Sequence, residues 1–277
     1  NQMVYDVAMK NLFLILLFIP LSLDASEKDH ELIMATLYVQ SSAEFYANSS
    51  SIYRAAQNNL DALLSDKNHT AALEQLENFS DKPPAIILDV DQTVLDNSAY
   101  QARIIEKGTA YPDGWFDWAK EEKAEFMPGA LEFMKYAQSK GVEIFFVTNR
   151  DLEIEKATIN NYIALGFSTS SEENILSRGE NGWGSNKTSR RELIAKDYRI
   201  VMMFGDNFGD FVDNNENLLS PKDRVEAIKK YSKYWGTSWY MFSNPMYGAW
   251  EGSVIDFNYR QPRDELLQKK LDALDSK

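Results

Sequence analysis

The chain of 277 residues is long enough for one large domain or two small ones, and its 44% hydrophobic and 13% aromatic content is ample for a core, which excludes general disorder. A net charge of −13 and a pI near 4.7 argue against nucleic acid polymers or anionic membranes as bulk partners. The absence of Cys excludes disulfides, thiolate zinc sites and a cysteine nucleophile, and leaves no cysteine to carry a lipid.

In chain order, Met9 and Lys10 precede the apolar run "NLFLILLFIPLSL", which reads as a signal peptide over residues 1–25 with cleavage after Ala25. The run is short for a membrane span and Pro20 interrupts it, so export to the periplasm or medium is expected, with no stable membrane anchor. The remainder, 26–277, reads as one domain. Residues 29–64 carry apolar side chains at helical spacing, with a break expected near "NSSS", and 69–77 reads as a further helix. The two histidines, His30 and His69, fall in these polar, helix-like stretches and read as surface residues.

From Ala85 the texture changes. The runs "AIILDV", "EIFFVT", "YRIVMMFG" and "SWYMF" alternate with helical patterns near 128–139, 152–165, 188–197 and 221–233. This alternation predicts an α/β fold, a Rossmann-like parallel sheet with flanking helices. Ligands of such sheets bind beyond the carboxyl ends of the strands. There the sequence places Asp89 and Asp91; then Thr148, Asn149 and Arg150; then Gly205, Asp206, Asn207 and Asp210.

Carboxylates crowded at one rim repel one another unless a cation or a shared proton intervenes, so the pattern implies a metal. Oxygen donors select a hard ion, and Mg²⁺ fits best. A calcium loop fails because Val94 and Tyr100 stand where such a loop needs Gly and Glu.

The residues then resemble the four motifs of the haloacid dehalogenase superfamily: "DVDQT", "FFVTN", Lys187 in "NKTSRRELI", and "MMFGDNFGD". More narrowly, "LDVDQTVLDNSAY", "FGDNFGDF" and "SNPMYGAWEG" are similar to the class C, four-aspartate bacterial acid phosphatases. Gln92 stands where that family usually has Glu. The resemblance implies that Asp89 attacks phosphorus and forms an aspartyl-phosphate, while Asp91 protonates the leaving alcohol and then takes a proton from water. It implies that Asp89, the Asp91 carbonyl and Asp206 hold Mg²⁺, with Asp210 supporting the shell or acting through water. Lys187, Thr148 and the backbone around Asn149 would hold the phosphoryl oxygens.

Plainer readings stand beside these. Lys187 could be a solvated helix-start residue with Arg190 or Arg191 in its place, and Asp210 and Thr148 could be helix caps. Arg150 could meet substrate or form a salt bridge.

Residues 97–127 form an insertion long enough for a small helical cap over the rim. Trp115 and Trp118 share one helix face there, as core packing or otherwise. The resemblance places Trp115 and Tyr247 beside an aromatic leaving group, and Tyr100 either joins them or packs in the core.

The expected activity is hydrolysis of small phosphomonoesters, with 5′-nucleotides or other aromatic phosphates as the expected substrates and a narrow 5′-nucleotidase and a non-catalytic storage or binding protein as alternatives. The presence of Asp89 weighs against the last. The N-terminal helices are expected to pack on the insertion or on a second copy of the chain in a homodimer.

Overall fold

The computed structural model describes residues 30–169 and 171–277; the signal peptide read over 1–25 lies outside them. In order, the elements are α1 (Ile33–Ser41), α2 (Ala43–Ser65), β1 (Pro84–Leu88), β2 (Leu95–Asp96), α3 (Ser98–Lys107), α4 (Trp115–Lys120), β3 (Glu125–Phe126), α5 (Ala130–Ser139), β4 (Glu143–Asp151), α6 (Glu155–Ala164), β5 (Ile175–Arg178), α7 (Thr188–Asp197), β6 (Arg199–Gly205), α8 (Asn214–Asn217), α9 (Pro221–Lys230), β7 (Trp239–Met241), α10 (Ala249–Val254) and α11 (Arg263–Asp272).

Five strands form one parallel sheet in the order β5-β4-β1-β6-β7, which confirms the α/β reading. Successive side chains of a strand point to opposite faces, so each central strand feeds two cores. Ile86 and Leu88 of β1 join Ile144 and Phe146 of β4 and Phe204 of β6 in the larger core, with α2, α5, α6 and the insertion. Ala85, Ile87, Phe145, Val147, Ile200 and Met203 join α7, Tyr231 and Trp239 in the other. Because β1 lies between β4 and β6, the three strand ends that carry the acidic and hydroxyl residues are adjacent.

Several expectations need correction. The N-terminal helix breaks at Ser42, not at "NSSS": Ser42 is extended, and its hydroxyl accepts the Phe45 N–H at 3.0 Å as the cap of α2. Residues 69–77 are not helical. The Ala71 N–H donates to Ile200 O at 2.7 Å, and the Gln75 amide donates to the Ala195 and Tyr198 carbonyls, so the segment is held open by the start of β6.

The histidines are not surface residues. His30 is buried, its Nε2 3.1 Å from Thr109 O, and half-buried His69 has its Nε2 3.0 Å from Val201 O. Both serve backbone carbonyls, a structural role. The short edge strand β5 was not anticipated: "ILSR" has only two apolar residues.

The N-terminal helices divide their work. α1 packs on α3 of the insertion, whereas α2 packs on α5 and the β6-β7 edge of the sheet. Tyr53 of α2 stacks against Phe204, and its hydroxyl donates to Thr93 O at 2.7 Å, which ties this helix to the loop after β1.

Candidate active site

The loop after β1 is closed by its own backbone. The Val94 and Leu95 N–H groups donate to Val90 O, and the Gln92 N–H donates to Leu95 O. Gln92 adopts φ +57° and is fully buried, its Oε1 accepting the Asn97 N–H at 2.5 Å. Its side chain thus shapes the turn into α3. Asp89 still belongs to the sheet ladder, its N–H donating to Phe204 O at 3.0 Å. The sheet therefore fixes where its carboxylate begins.

Lys187 immediately precedes α7 and is buried. Its Nζ lies 2.5 Å from Asp89 Oδ1 and 2.6 Å from Asp210 Oδ1. The side chains held as its substitutes do other work. Arg190 donates to Thr148 O at 2.5 Å and to Asn149 Oδ1 at 2.8 Å. Arg191 pairs with Glu74 at 2.6 Å and donates to Asp210 O at 3.1 Å.

After β6, carboxylate oxygens of Asp89, Asp206 and Asp210 come within 4.8 Å of one another. Asp210 is not a helix N-cap; its Oδ2 accepts the Asn207 N–H at 2.9 Å from the third position of a capping box while Oδ1 faces Lys187. A Cβ on Gly205 would meet the Asp210 side chain at 2.2–2.5 Å, so the bare backbone there admits it. Asp206 Oδ2 accepts the Asn244 amide at 2.7 Å.

The electrostatics are those of an anionic cluster short of positive charge. Burial, opposed by Lys187 and reinforced by the Asp210 and Asp91 charges, pushes the Asp89 carboxyl up to about 7. Burial, Asp89 and Asp210 hold Asp206 well above the ordinary carboxylate range. Burial disfavours the Lys187 ammonium, but the Asp210 and Asp89 charges outweigh it and raise its pKa. With all three carboxylates ionised, one ammonium leaves two negative charges uncompensated, which a divalent cation matches. All donors in the cluster are oxygens, so the residues fit a hard ion.

Asp91 is not in that cluster. Its Oδ1 pairs with the Arg150 guanidinium at 2.8 Å and accepts the Asn97 amide at 2.7 Å. Arg150 therefore forms the salt bridge that the sequence left as one of two options. Thr148 caps no helix, because β4 runs on to Asp151; its hydroxyl is buried and accepts the Arg150 N–H at 3.0 Å. Asn149 is exposed and bridges Arg190 and Ser185 O.

Trp115 is only 6% exposed; it stacks on Trp118, meets Tyr100 edge-on, and has the Arg150 guanidinium 5.4 Å from its ring centroid. It is a wall behind Arg150 rather than an open platform. Tyr100 belongs to the same packed cluster. Half-buried Tyr247 accepts the Asn97 amide on its hydroxyl at 3.1 Å.

Sequence reasoning missed Asn97, Asn244, Thr93 and Tyr53. Asn97 and Asn244 stood in quoted motifs, but an isolated amide carries no charge pattern. Tyr53 lies in a helix with no visible tie to the rim.

The family model for the HAD superfamily, subfamily IIIB (acid phosphatase), matches residues 20–250. Two solved structures of the class C acid phosphatase from Bacillus anthracis, one of them with tungstate bound, are each 36% identical, and the matches cover 89% of this chain and 98% of theirs, with TM-scores of 0.79 and 0.78. The chain belongs to the HAD subfamily IIIB acid phosphatases, of the class C type, and is a phosphoric monoester hydrolase.

Proposed function

We propose that this acid phosphatase works through a phosphoryl group carried on Asp89, with Asp91 as proton donor and acceptor and a divalent cation, Mg²⁺ by preference, held by Asp89, Asp206, Asp210 and the Asp91 carbonyl. The observation that carries the reading is the meeting of three carboxylates and one buried ammonium at adjacent strand ends. Bound there, the cation supplies charge neutralisation at the phosphoryl oxygens.

The chain's own groups divide the rest. Asp89 forms a bond to phosphorus as the ester P–O bond breaks, and Asp91 gives its proton to the departing alcohol. Water then attacks phosphorus, Asp91 takes one of its protons, and the Asp89–phosphorus bond breaks to release phosphate. Both acids end as they began. Lys187, Thr148 and the backbone around Asn149 hold the phosphoryl oxygens through both steps, since phosphoryl transfer depends mainly on positioning and charge. Tungstate is a tetrahedral oxyanion like phosphate, so its presence in the Bacillus anthracis relative supports an oxyanion pocket here.

On substrate, we favour aromatic phosphomonoesters, 5′-nucleotides among them, with Tyr247 rather than Trp115 at the leaving group, because a stacking surface tolerates any base. The apolar run before Ala25 supports export to the periplasm or medium.

The test is hydrolysis of 4-nitrophenyl phosphate by wild type, by wild type with a chelator, and by Asp89→Asn. Activity is expected to fall to background in the second and third and to return with Mg²⁺ only in the second. Full activity in both would refute the mechanism.

A further inference from the structure

The Asp91 carboxylate is held in an asymmetric way. Oδ1 accepts two N–H groups, from Arg150 Nε at 2.9 Å and from Asn97 Nδ2 at 2.7 Å, and Arg150 Nη2 lies beside it at ion-pair distance, 2.8 Å. No donor among the described residues reaches Oδ2, and the side chain keeps 20% of its surface open. We infer that Arg150 and Asn97 are positioning residues for the phosphatase reaction: they pin Oδ1 and leave Oδ2 as the atom that gives and takes the proton.

The stereochemistry is direct. An oxygen that accepts two N–H groups has both lone pairs occupied, and a proton placed there would point at other hydrogens. The exchangeable proton therefore sits on Oδ2.

The two holders are themselves over-determined. Arg150 is 2% exposed, and its Nη1 donates to Thr158 Oγ1 at 3.1 Å. Its guanidinium lies against the rings of Trp115 and Trp118, at 5.4 and 6.0 Å from their centroids. Asn97 Oδ1 accepts from Arg150 Nη2 at 3.4 Å, which fixes which way the amide faces, so Nδ2 must point to Asp91. Its own N–H is held by Gln92. Arg150 is thus the one cation that lies against both Trp115 and Trp118 and also pairs with Asp91 among the described residues. The insertion helix α4 is thereby coupled to the orientation of Asp91.

The inference rests on Asp91 being the general acid, and its test separates the two ideas. 4-Nitrophenolate leaves readily as an anion, whereas the alkoxide of glycerol 2-phosphate needs the proton. In Arg150→Ala, kcat/KM for glycerol 2-phosphate should fall about 10- to 100-fold more than for 4-nitrophenyl phosphate, and added guanidinium ion should restore part of the alkyl-ester rate. Equal losses on both esters, without rescue, overturn the inference. Should Arg150→Ala not fold, Asn97→Ala decides by the same ratio: a selective alkyl-ester loss supports it, and an unchanged ratio overturns it. Asp91→Asn serves as the reference. Without a selective loss there, the general-acid reading and the inference fall together; with one there and none in Arg150→Ala, only the positioning role fails.

Discussion

Lys187 reaches from the start of α7 to lie between Asp89 and Asp210, so one ammonium joins the ends of β1 and β6. Such a group holds the nucleophile's carboxylate in place and offers positive charge to an incoming phosphoryl group. In the absence of substrate it also keeps two buried carboxylates from facing each other unscreened.

Lys187→Met should therefore fail twice. Its kcat/KM for a phosphomonoester is expected to drop by at least about 100-fold, the scale of losing one well-placed electrostatic partner. Its stability in urea without divalent cation should fall by about 3–5 kcal/mol, the usual cost of leaving a buried charge partner unpaired. Adding Mg²⁺ should narrow the stability gap. Wild-type stability without added cation would show that the ammonium is not holding the cluster together.

A second prediction concerns the reach of α2. Removing the Tyr53 hydroxyl leaves the Thr93 carbonyl without its buried donor, so Tyr53→Phe should cost about 1–3 kcal/mol in urea denaturation. Thr93 lies four residues from Asp89, and its hydroxyl is 3.4 Å from Asp89 Oδ2, so a smaller fall in kcat/KM, under about tenfold, should accompany it. Unchanged stability and activity would mean that the helix merely covers the sheet.

Four of the five sheet strands and the identity of the rim residues were readable because they rest on strong local signals: continuous apolar runs for buried parallel strands, and acids directly after two of them. Asp89, Lys187, Asp206 and Asp210 came together as that pattern implied. What could not be read were relations that depend on the third dimension. Arg150 lies next to Asn149 in sequence yet turns to Asp91, and Trp115 is covered by that turn. Residues 69–77 have helical composition, but their side-chain amide and hydroxyl find better partners on the carbonyls around β6. His69 reads as polar surface until the Val201 carbonyl is seen beside it.

That histidine carries a prediction for pH. Burial lowers the His69 pKa below its ordinary value, while the hydrogen bond to the Val201 carbonyl and the Asp66 charge oppose the shift. The unfolded chain takes up this proton near pH 6.5, about the value for an unperturbed His, before the folded protein does. The contribution to stability is thus fully present above that pH and is lost as pH falls through the lowered folded value. His69→Gln can still donate to Val201 O but cannot titrate, so its thermal midpoint should decline less than wild type over this acidic range. Parallel declines would remove His69 from the account.

The central claim is that Asp89 becomes phosphorylated during turnover, and the most direct test is chemical trapping. Wild-type enzyme is quenched during hydrolysis of a phosphomonoester and treated with borohydride, which reduces an acyl phosphate to the alcohol and so converts the modified Asp to homoserine. Peptide mass spectrometry should find homoserine at position 89, dependent on substrate. Homoserine at another position, or phosphate retained on a Ser, Thr or His, would contradict the account.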